Sequence, residues 1–413
     1  MTVNLLLIFA WLGVAAWLVF SVVVLRRSAL QKKLAPLPGE SEVVAGNTPL
    51  VSILVPARNE EHRALKACLR SLLAQDYKHI EVIAVDDCST DATGAILHDA
   101  AKTNERLRVI DGIEPPPPWL GKPHALQQAF EASGGEWILA IDADMIFAKE
   151  AVRTSLTHSL AHNYDALTLI PHVECLSFWE RVFMPTCWGV MMTATMPLHR
   201  VNDPRRKNAL GIGGFFLMKR EWLERIGGFH SVRVEVLEDV RLAELLKASG
   251  ARLRIERAPQ LARTRMLTNF GEMWHGFTKN MFAAMNFSLP LAILGAFSIF
   301  AFAVLPFIVA LVCLVMIAAG GPEKWMSLFV PAFIVWLIQV VAVARVNREW
   351  GVPIIYALTV PLNYALFAAI LLNSARRIVT GKGVAWKGRT LYERTGGHSA
   401  QQRQPDITKS RGQ

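Results

Sequence analysis

The chain has 413 residues, 52% hydrophobic and 19% charged, with 44 Lys and Arg against 34 Asp and Glu for a formal net charge of +10. That is too apolar for an ordinary soluble domain, and the length suits two or three units. The basic residues flank apolar segments, which fits attraction to anionic lipid headgroups and argues against a nucleic-acid partner.

The first predicted element, Val3 to Leu25, is apolar almost throughout. It is long enough to cross a bilayer, which takes about 20 residues. Arg26, Arg27, Lys32 and Lys33 follow it, no basic residue precedes it, and no small-residue cleavage site ends it. It reads as an uncleaved anchor over residues 1–26, its N-terminus outside. Residues 27–49 form a linker that turns rich in Pro, Gly, Ser and Glu from Ala35. Cys68, Cys88, Cys175, Cys187 and Cys313 show no C-x-x-C spacing, so a reducing compartment is expected, without disulfides or a zinc site.

From Leu50 strands alternate with helices. Val51–Val55, Ile80–Val85 and Leu107–Ile110 read as strands, and His62–Ala74, Thr90–Lys102 and Pro123–Ala132 as helices. Pro115–Pro118 is a stiff polyproline stretch. Then Trp137–Ile141 runs apolar into Asp142 and Asp144. The alternation predicts an α/β domain over residues 50–267, with a parallel sheet and helices on both faces. Between Asn163 and Glu256 the pattern is less regular, with strands at Ala166–Ile170 and Gly214–Met218 and a helix at Glu238–Ala248. Residues 268–287 are amphipathic and read as a helix lying in the membrane interface. Three apolar stretches within 288–373 form a membrane bundle: Leu289–Ala319, Met326–Ala344 and Val352–Leu372. The first contains Pro290 and Pro306 and is expected to be broken or re-entrant, which keeps the basic tail, 374–413, in the cytosol. From Gly396 the tail is polar and expected to be disordered.

Four acidic clusters carry chemistry. Asp142 and Asp144 stand where a buried strand emerges, the end at which open α/β sheets bind ligands. Two hard oxygen ligands there suit Mg²⁺ or Mn²⁺ with a phosphate-bearing substrate. Pro56, Ala57 and Glu60 end the first strand, where backbone groups and a carboxylate can meet a ribose; an ordinary strand-to-helix loop reads as well. Asp86 and Asp87 end the second strand and can bind a nucleobase and ribose, with Ser89 or Thr90 as the next helix's N-cap and Asp91 at its positive end. Glu238 and Asp239 open a helix, as simple caps or, beside a phosphate, with Asp239 as a general base. No G-x-x-x-x-G-K-[ST] occurs, which disfavours a P-loop NTPase.

As a set, Val55-Pro56-Ala57-Arg58-Asn59-Glu60, Val85-Asp86-Asp87-Cys88-Ser89-Thr90-Asp91, Asp142-Ala143-Asp144 and Glu238-Asp239 resemble the inverting glycosyltransferase family 2, from about Val51 to Asn280. The resemblance implies a GT-A nucleotide-sugar-binding fold, Rossmann-like, between the N-terminal anchor and the C-terminal helix bundle. It implies that Asp86 and Asp87 touch the nucleoside, that Asp142 and Asp144 hold a divalent metal on the diphosphate, and that Asp239, beside Glu238, is the base. The order of anchor, catalytic domain and bundle is similar to ceramide glucosyltransferases and to hopanoid- and carotenoid-associated glycosyltransferases. Trp119-Leu120-Gly121-Lys122, Gly213-Gly214-Phe215 and Trp386-Lys387-Gly388-Arg389 also match that subgroup, adding Lys122, Gly214 and Arg389 as donor-binding candidates. A Q-x-x-R-W-type motif of processive synthases is missing: the corresponding stretch is Glu272–Asn280. The implied activity is transfer of a sugar, from a UDP-sugar by preference, to a lipid hydroxyl or carboxyl with inversion, in a bacterial inner membrane with the catalytic domain cytosolic. The alternatives are a polysaccharide synthase of the same fold and a non-catalytic nucleotide-sugar-binding regulator.

Overall fold

The computed structural model describes residues 2–38, 48–191, 193 and 197–393. The tail from Gly396 and the linker's residues 39–47 lie outside the described residues. The central sheet has seven strands: β1 (Val51–Ala57), β2 (Ile80–Asp86), β3 (Leu107–Asp111), β4 (Trp137–Ala140), β6 (Ala166–Ile170), β8 (Phe216–Lys219) and β9 (Leu253–Arg257), in the order β3-β2-β1-β4-β8-β6-β9. A small sheet joins β5 (Met145–Phe147), β10 (Ala262–Thr264) and β7 (His172–Val173). The sheet predicted as parallel is mixed. β3, β2, β1 and β4 are parallel, but β8 enters antiparallel between β4 and β6. The long excursion after β6 returns the chain at the carboxyl end of β4, where Phe216 pairs with Ala140. The Gly213-Gly214 loop before β8 is thereby laid beside Asp142.

Helical periodicity explains the layers. Leu65, Leu69 and Leu72 pack with Leu97 on one face of the sheet; Leu126, Phe130, Leu242 and Leu246 pack on the other. All are buried, at about 1.5–3 kcal/mol per large apolar side chain. The helix predicted from Thr90 begins at Thr93 and has neither Ser89 nor Thr90 as a cap. Instead, Asp91 accepts from the Thr93 N–H at 3.0 Å and from the Glu61 N–H at 3.1 Å, while Ser89 Oγ accepts from the Asn59 N–H at 3.1 Å.

Among the described residues four helices are long and apolar enough to cross a membrane: Leu5–Ser28, Leu289–Ala318, Lys324–Trp350 and Ile354–Val379. The expected break in the first C-terminal stretch does not occur. Leu289–Ala318 runs on through a π-helical turn at Phe300–Val304. Pro306 lacks the N–H that would bond the carbonyl four residues back, at Phe302. That carbonyl accepts instead from Trp17 Nε1 at 2.6 Å, and the Ala303 carbonyl from Gln339 Nε2 at 3.3 Å. Neighbouring helices thus satisfy the backbone that the proline frees. The amphipathic helix Phe270–Ala284 precedes this bundle, its buried Met273, Phe277, Met281 and Phe282 facing Ile370, Leu371 and Ala375.

Candidate active site

The carboxyl ends of β1, β2 and β4 converge, and the charged groups emerging from them form one row. At its near end Lys122, in the first turn of helix Gly121–Glu131, reaches Asp142 at 2.6 Å and Glu238 at 2.5 Å. Withdrawal from bulk water would lower the Lys122 pKa, but Asp142, Glu238 and Asp239 together hold it well above the usual lysine value. Withdrawal likewise opposes ionisation of Asp142, yet Lys122 keeps its carboxyl below the ordinary range. Asp239 is fixed by backbone, Oδ2 accepting from the Gly213 N–H at 2.7 Å and Oδ1 from the Val240 N–H at 2.8 Å. Burial, then Glu238, pushes its pKa up to about 6.

Asp144, two residues past Asp142, behaves differently. Burial, Asp142 and Glu60 push its pKa up to about 7. Glu60 is buried, pairs through Oε1 with Lys387, and leaves Oε2 with no partner among the described residues. At the far end Asp87, also buried, accepts from Arg389 Nη1 at 2.7 Å and leaves Oδ1 unpartnered. Burial raises the Asp87 pKa, and Arg389 offsets only part of the rise. Asp86 turns back on its own loop, Oδ1 accepting from the Ser89 N–H at 3.1 Å. Asn59 and Cys88 both have positive φ, 51° and 53°, a costly conformation for residues other than glycine and one that clusters at ligand sites.

The remaining candidates are backbone or packing residues. Ala57 is buried, its carbonyl accepting from the Asp87 N–H at 2.8 Å; Pro56 pairs in register with Val85. Gly214 borders Met145, whose Sδ would lie 2.7 Å from an added Cβ, so its missing side chain makes room under β5. Gly213 is the glycine that faces the carboxylates: a Cβ there would lie 2.8 Å from Lys122 Nζ and 3.3 Å from Asp239 Oδ2.

Lys387, Arg58 and Lys279 were not anticipated. Arg58 ties β1 to the chain's far end, donating from Nη1 to the Asp87 carbonyl at 2.5 Å and from Nε to the Lys387 carbonyl at 3.0 Å. Lys279 on the amphipathic helix feels Glu238 and Asp142, although burial lowers its pKa overall. At Lys387 the local signal was Gly388, which marks a turn but does not show that its tip reaches Glu60.

Comparisons with known proteins bear on the family and the fold. A family model described as "Glycosyl transferase family 2" matches residues 52–227. A 4,4'-diaponeurosporenoate glycosyltransferase of Staphylococcus aureus (strain USA300) is 26% identical over 238 residues, covering 57% of this chain and 61% of the relative. The match thus spans less than two thirds of that relative's length. The solved structure of mannosyltransferase PcManGT from Pyrobaculum calidifontis, in complex with GDP-Man and Mn2+, aligns with a TM-score of 0.50 at 18% identity. The alignment covers 90% of this chain and 98% of that one, a likeness of fold. Residues 52–227 are thus similar to glycosyltransferase family 2, on a GT-A-type mixed sheet joined to apolar helices able to span a membrane.

Proposed function

We propose that this glycosyltransferase of family 2, related to a carotenoid glycosyltransferase, moves a sugar from a nucleoside-diphosphate donor to a lipid acceptor with inversion at the anomeric carbon. The observation that carries the reading is the single row of carboxylates from Asp87 to Asp239 at the strand ends, beside helices fit for a membrane. In this reading Asp86 and Asp87 meet the nucleoside, a UDP moiety by preference, and Asp142 and Lys122 border the diphosphate. The catalytic domain faces the cytosol of a bacterial inner membrane.

The residues present fit a divalent cation. Among the described residues no three His, Cys, Asp or Glu side chains form a protein cage. Mg²⁺ or Mn²⁺ needs no cage there, since one or two carboxylates, substrate phosphates and water complete its shell. The Asp144 carboxyl, pushed up to about 7 by burial, Asp142 and Glu60, a rise only partly offset by Lys387 and Arg63, forms no ion pair among the described residues. Asp144 and Asp142 would hold the ion, which when bound supplies Lewis-acid stabilisation of the leaving diphosphate. Asp239 takes the acceptor proton. Its two oxygens are held by the Gly213 and Val240 N–H groups, and a raised pKa makes it a better base than an ordinary carboxylate once ionised. The acceptor oxygen then displaces the diphosphate from the opposite face. A lipid whose tail stays in the bilayer reaches this site past the amphipathic helix Phe270–Ala284.

The test is mass spectrometry of total lipids from cells expressing the wild type or Asp239→Asn. The wild type should yield one sugar-shifted lipid, and the variant should lose it by about 10²–10⁴-fold, the usual worth of a general base. A ladder of products, or an active variant, would sink the reading.

A further inference from the structure

The C-terminal chain beyond the last apolar helix folds as a hairpin, β11 (Lys382–Trp386) and β12 (Arg389–Glu393), with Trp386 paired to Arg389. Only Lys387 and Gly388 lie between the strands. Both have positive φ, 45° and 78°, the signature of a type I′ turn. Lysine in that conformation is costly, and the turn holds it at the very tip. The tip lies in the carboxylate row. Lys387 pairs with Glu60, and its charge lowers the pKa of both Asp142 and Asp144. Arg389 forks between Asp87 at 2.7 Å and Glu114 at 2.9 Å. Close approach is possible because Gly121 has no side chain: a Cβ there would collide with Arg389 Nη1. The two buried acids that receive these cations each keep one oxygen unpartnered.

This contact constrains the membrane path. Helix Lys324–Trp350 ends at the domain, where Glu349 meets Arg257 at 3.4 Å. Tyr356 then accepts from Arg181 at 3.4 Å, and Asn363 donates to the Val182 and Phe183 carbonyls at 2.6 and 3.1 Å. Ser374 donates to the Thr278 carbonyl at 2.5 Å, and Arg377 to the Gly383 carbonyl at 2.8 Å. From residue 349 to the hairpin the chain returns repeatedly to elements continuous with the domain, while the helix between also packs on apolar helices, Tyr364 on Trp17 at 5.8 Å and Leu371 beside Gly295. By length and composition Ile354–Val379 passes for a span, yet one end contacts Arg181 and the other Thr278 and the hairpin, elements that connect directly to the domain.

We propose that the hairpin Lys382–Glu393 is a wall of the donor site, in which Lys387 and Arg389 bind the phosphates of a nucleoside diphosphate, and that the last apolar helix carries it there by running along the membrane face instead of through it. The proposal rests on the donor reading above. A planar guanidinium suits a bidentate phosphate contact, and an ammonium a point contact. In the donor-free protein the acids hold both cations ready; phosphate binding adds to, or exchanges with, those pairs.

Two measurements on the full chain test it. The first is affinity for UDP, for GDP and for the free nucleosides, with Mn²⁺ present, in detergent. Lys387→Gln and Arg389→Gln should each weaken the diphosphate that binds by about tenfold to a hundredfold, leave the nucleoside unchanged, and Lys387→Arg should largely rescue. A mere structural latch would change both ligands in the same ratio. Unchanged diphosphate affinity in the variants overturns the phosphate role; a wild type that binds neither diphosphate overturns the donor reading itself. The second is labelling from either side of sealed vesicles with a membrane-impermeant maleimide, in a Cys88→Ser background. Thr380→Cys should react from the same side as Lys102→Cys on the domain, and Glu323→Cys from the other. Thr380→Cys reacting with Glu323→Cys would mean the last helix crosses, and would remove the hairpin from the site.

Discussion

At one end of the carboxylate row Asp142, Glu238 and Asp239 share the ammonium of Lys122, and every group comes from the sheet domain. At the other, Glu60 and Asp87 receive Lys387 and Arg389, which lie 327 and 302 residues further along. Asp142 and Asp144, a residue apart, mark the border: the first is held below the usual carboxylate range, the second is pushed up to about 7. The near end is neutralised chiefly by Lys122 from the sheet domain, with smaller contributions from Lys387 and Lys279. The far end takes its ion pairs from a segment that follows the apolar helices, so under the proposed reading donor binding and membrane assembly are coupled there.

The largest expected break in this contrast is at Asp144. Its carboxylate forms no ion pair among the described residues, Lys387 and Arg63 acting on it only through their charge, so Asp144→Asn removes the proposed metal ligand without unpairing a partner. Loss of several kcal/mol of charge stabilisation corresponds to a fall in turnover of about 10²–10⁴-fold with the melting temperature nearly unchanged. Steady-state assays and thermal melts of the same preparation check it; a melt lowered in step with activity would make Asp144 structural. Lys122→Gln breaks the near end instead. It leaves Asp142 and Glu238 facing each other without their shared cation. Lys122 is about a third exposed, at 34%, so solvent screens part of the cost. The expectation is a drop of about tenfold to a hundredfold in turnover together with a lower melting temperature. Asp144→Asn should thus hit activity alone, and Lys122→Gln both.

This division also decides what could be read from the sequence. The near end was legible because each group sits at a strand end or in a first helical turn: the apolar run Trp137–Ile141 stops at Asp142, and Glu238-Asp239 opens a helix. Both periodicity and strand-end position are local signals. The antiparallel entrance of β8 was not legible, since it depends on where a long excursion returns and leaves no trace in Phe216–Lys219. Gly214 was singled out by its neighbours in the motif, yet Gly213 meets the carboxylates, because one residue of register decides which glycine faces the cleft. Pro306 was read as a break since the sequence shows the lost N–H; it does not show Trp17, from the other end of the chain, bonding the Phe302 carbonyl. Lys387 was passed over for the same reason, its partner Glu60 being 327 residues away.

Acidity sharpens the contrast further. Asp239 must be ionised to act as a base, and its pKa lies at about 6. With the divalent cation saturating, which keeps Asp144 ionised, activity should therefore be flat above that pH and fall below it, about tenfold per unit once protonation dominates, in a profile of kcat/KM against pH. Lys122 lowers the Asp239 pKa, so in Lys122→Gln the acid limb should move to higher pH. An acid limb at the same position in both proteins would show that the base lies elsewhere.

The smallest effect is expected at Gly213, and it separates side-chain crowding from backbone crowding. A Cβ there lies 2.8 Å from Lys122 Nζ and 3.4 Å from Asp142 Oδ2. The atom in the way is the tip of a flexible side chain with partial solvent access, so it can step aside. Gly213 keeps its N–H bond to Asp239 in the alanine variant, because that bond uses backbone alone. Gly211 is the contrasting position: a Cβ there collides with the Asp239 carbonyl and comes within 2.7 Å of its carbon, atoms that open a helix and cannot yield alone. Gly213→Ala should then fold normally, with turnover lowered by only about threefold to tenfold, the equivalent of roughly 1 kcal/mol from a displaced ammonium. The effect should vanish in a Lys122→Gln background, where no ammonium remains to displace, and a double-mutant cycle measures that directly. Additive losses in the cycle would mean that the alanine acts through Asp239 and the loop, not through the cation that the three acids share.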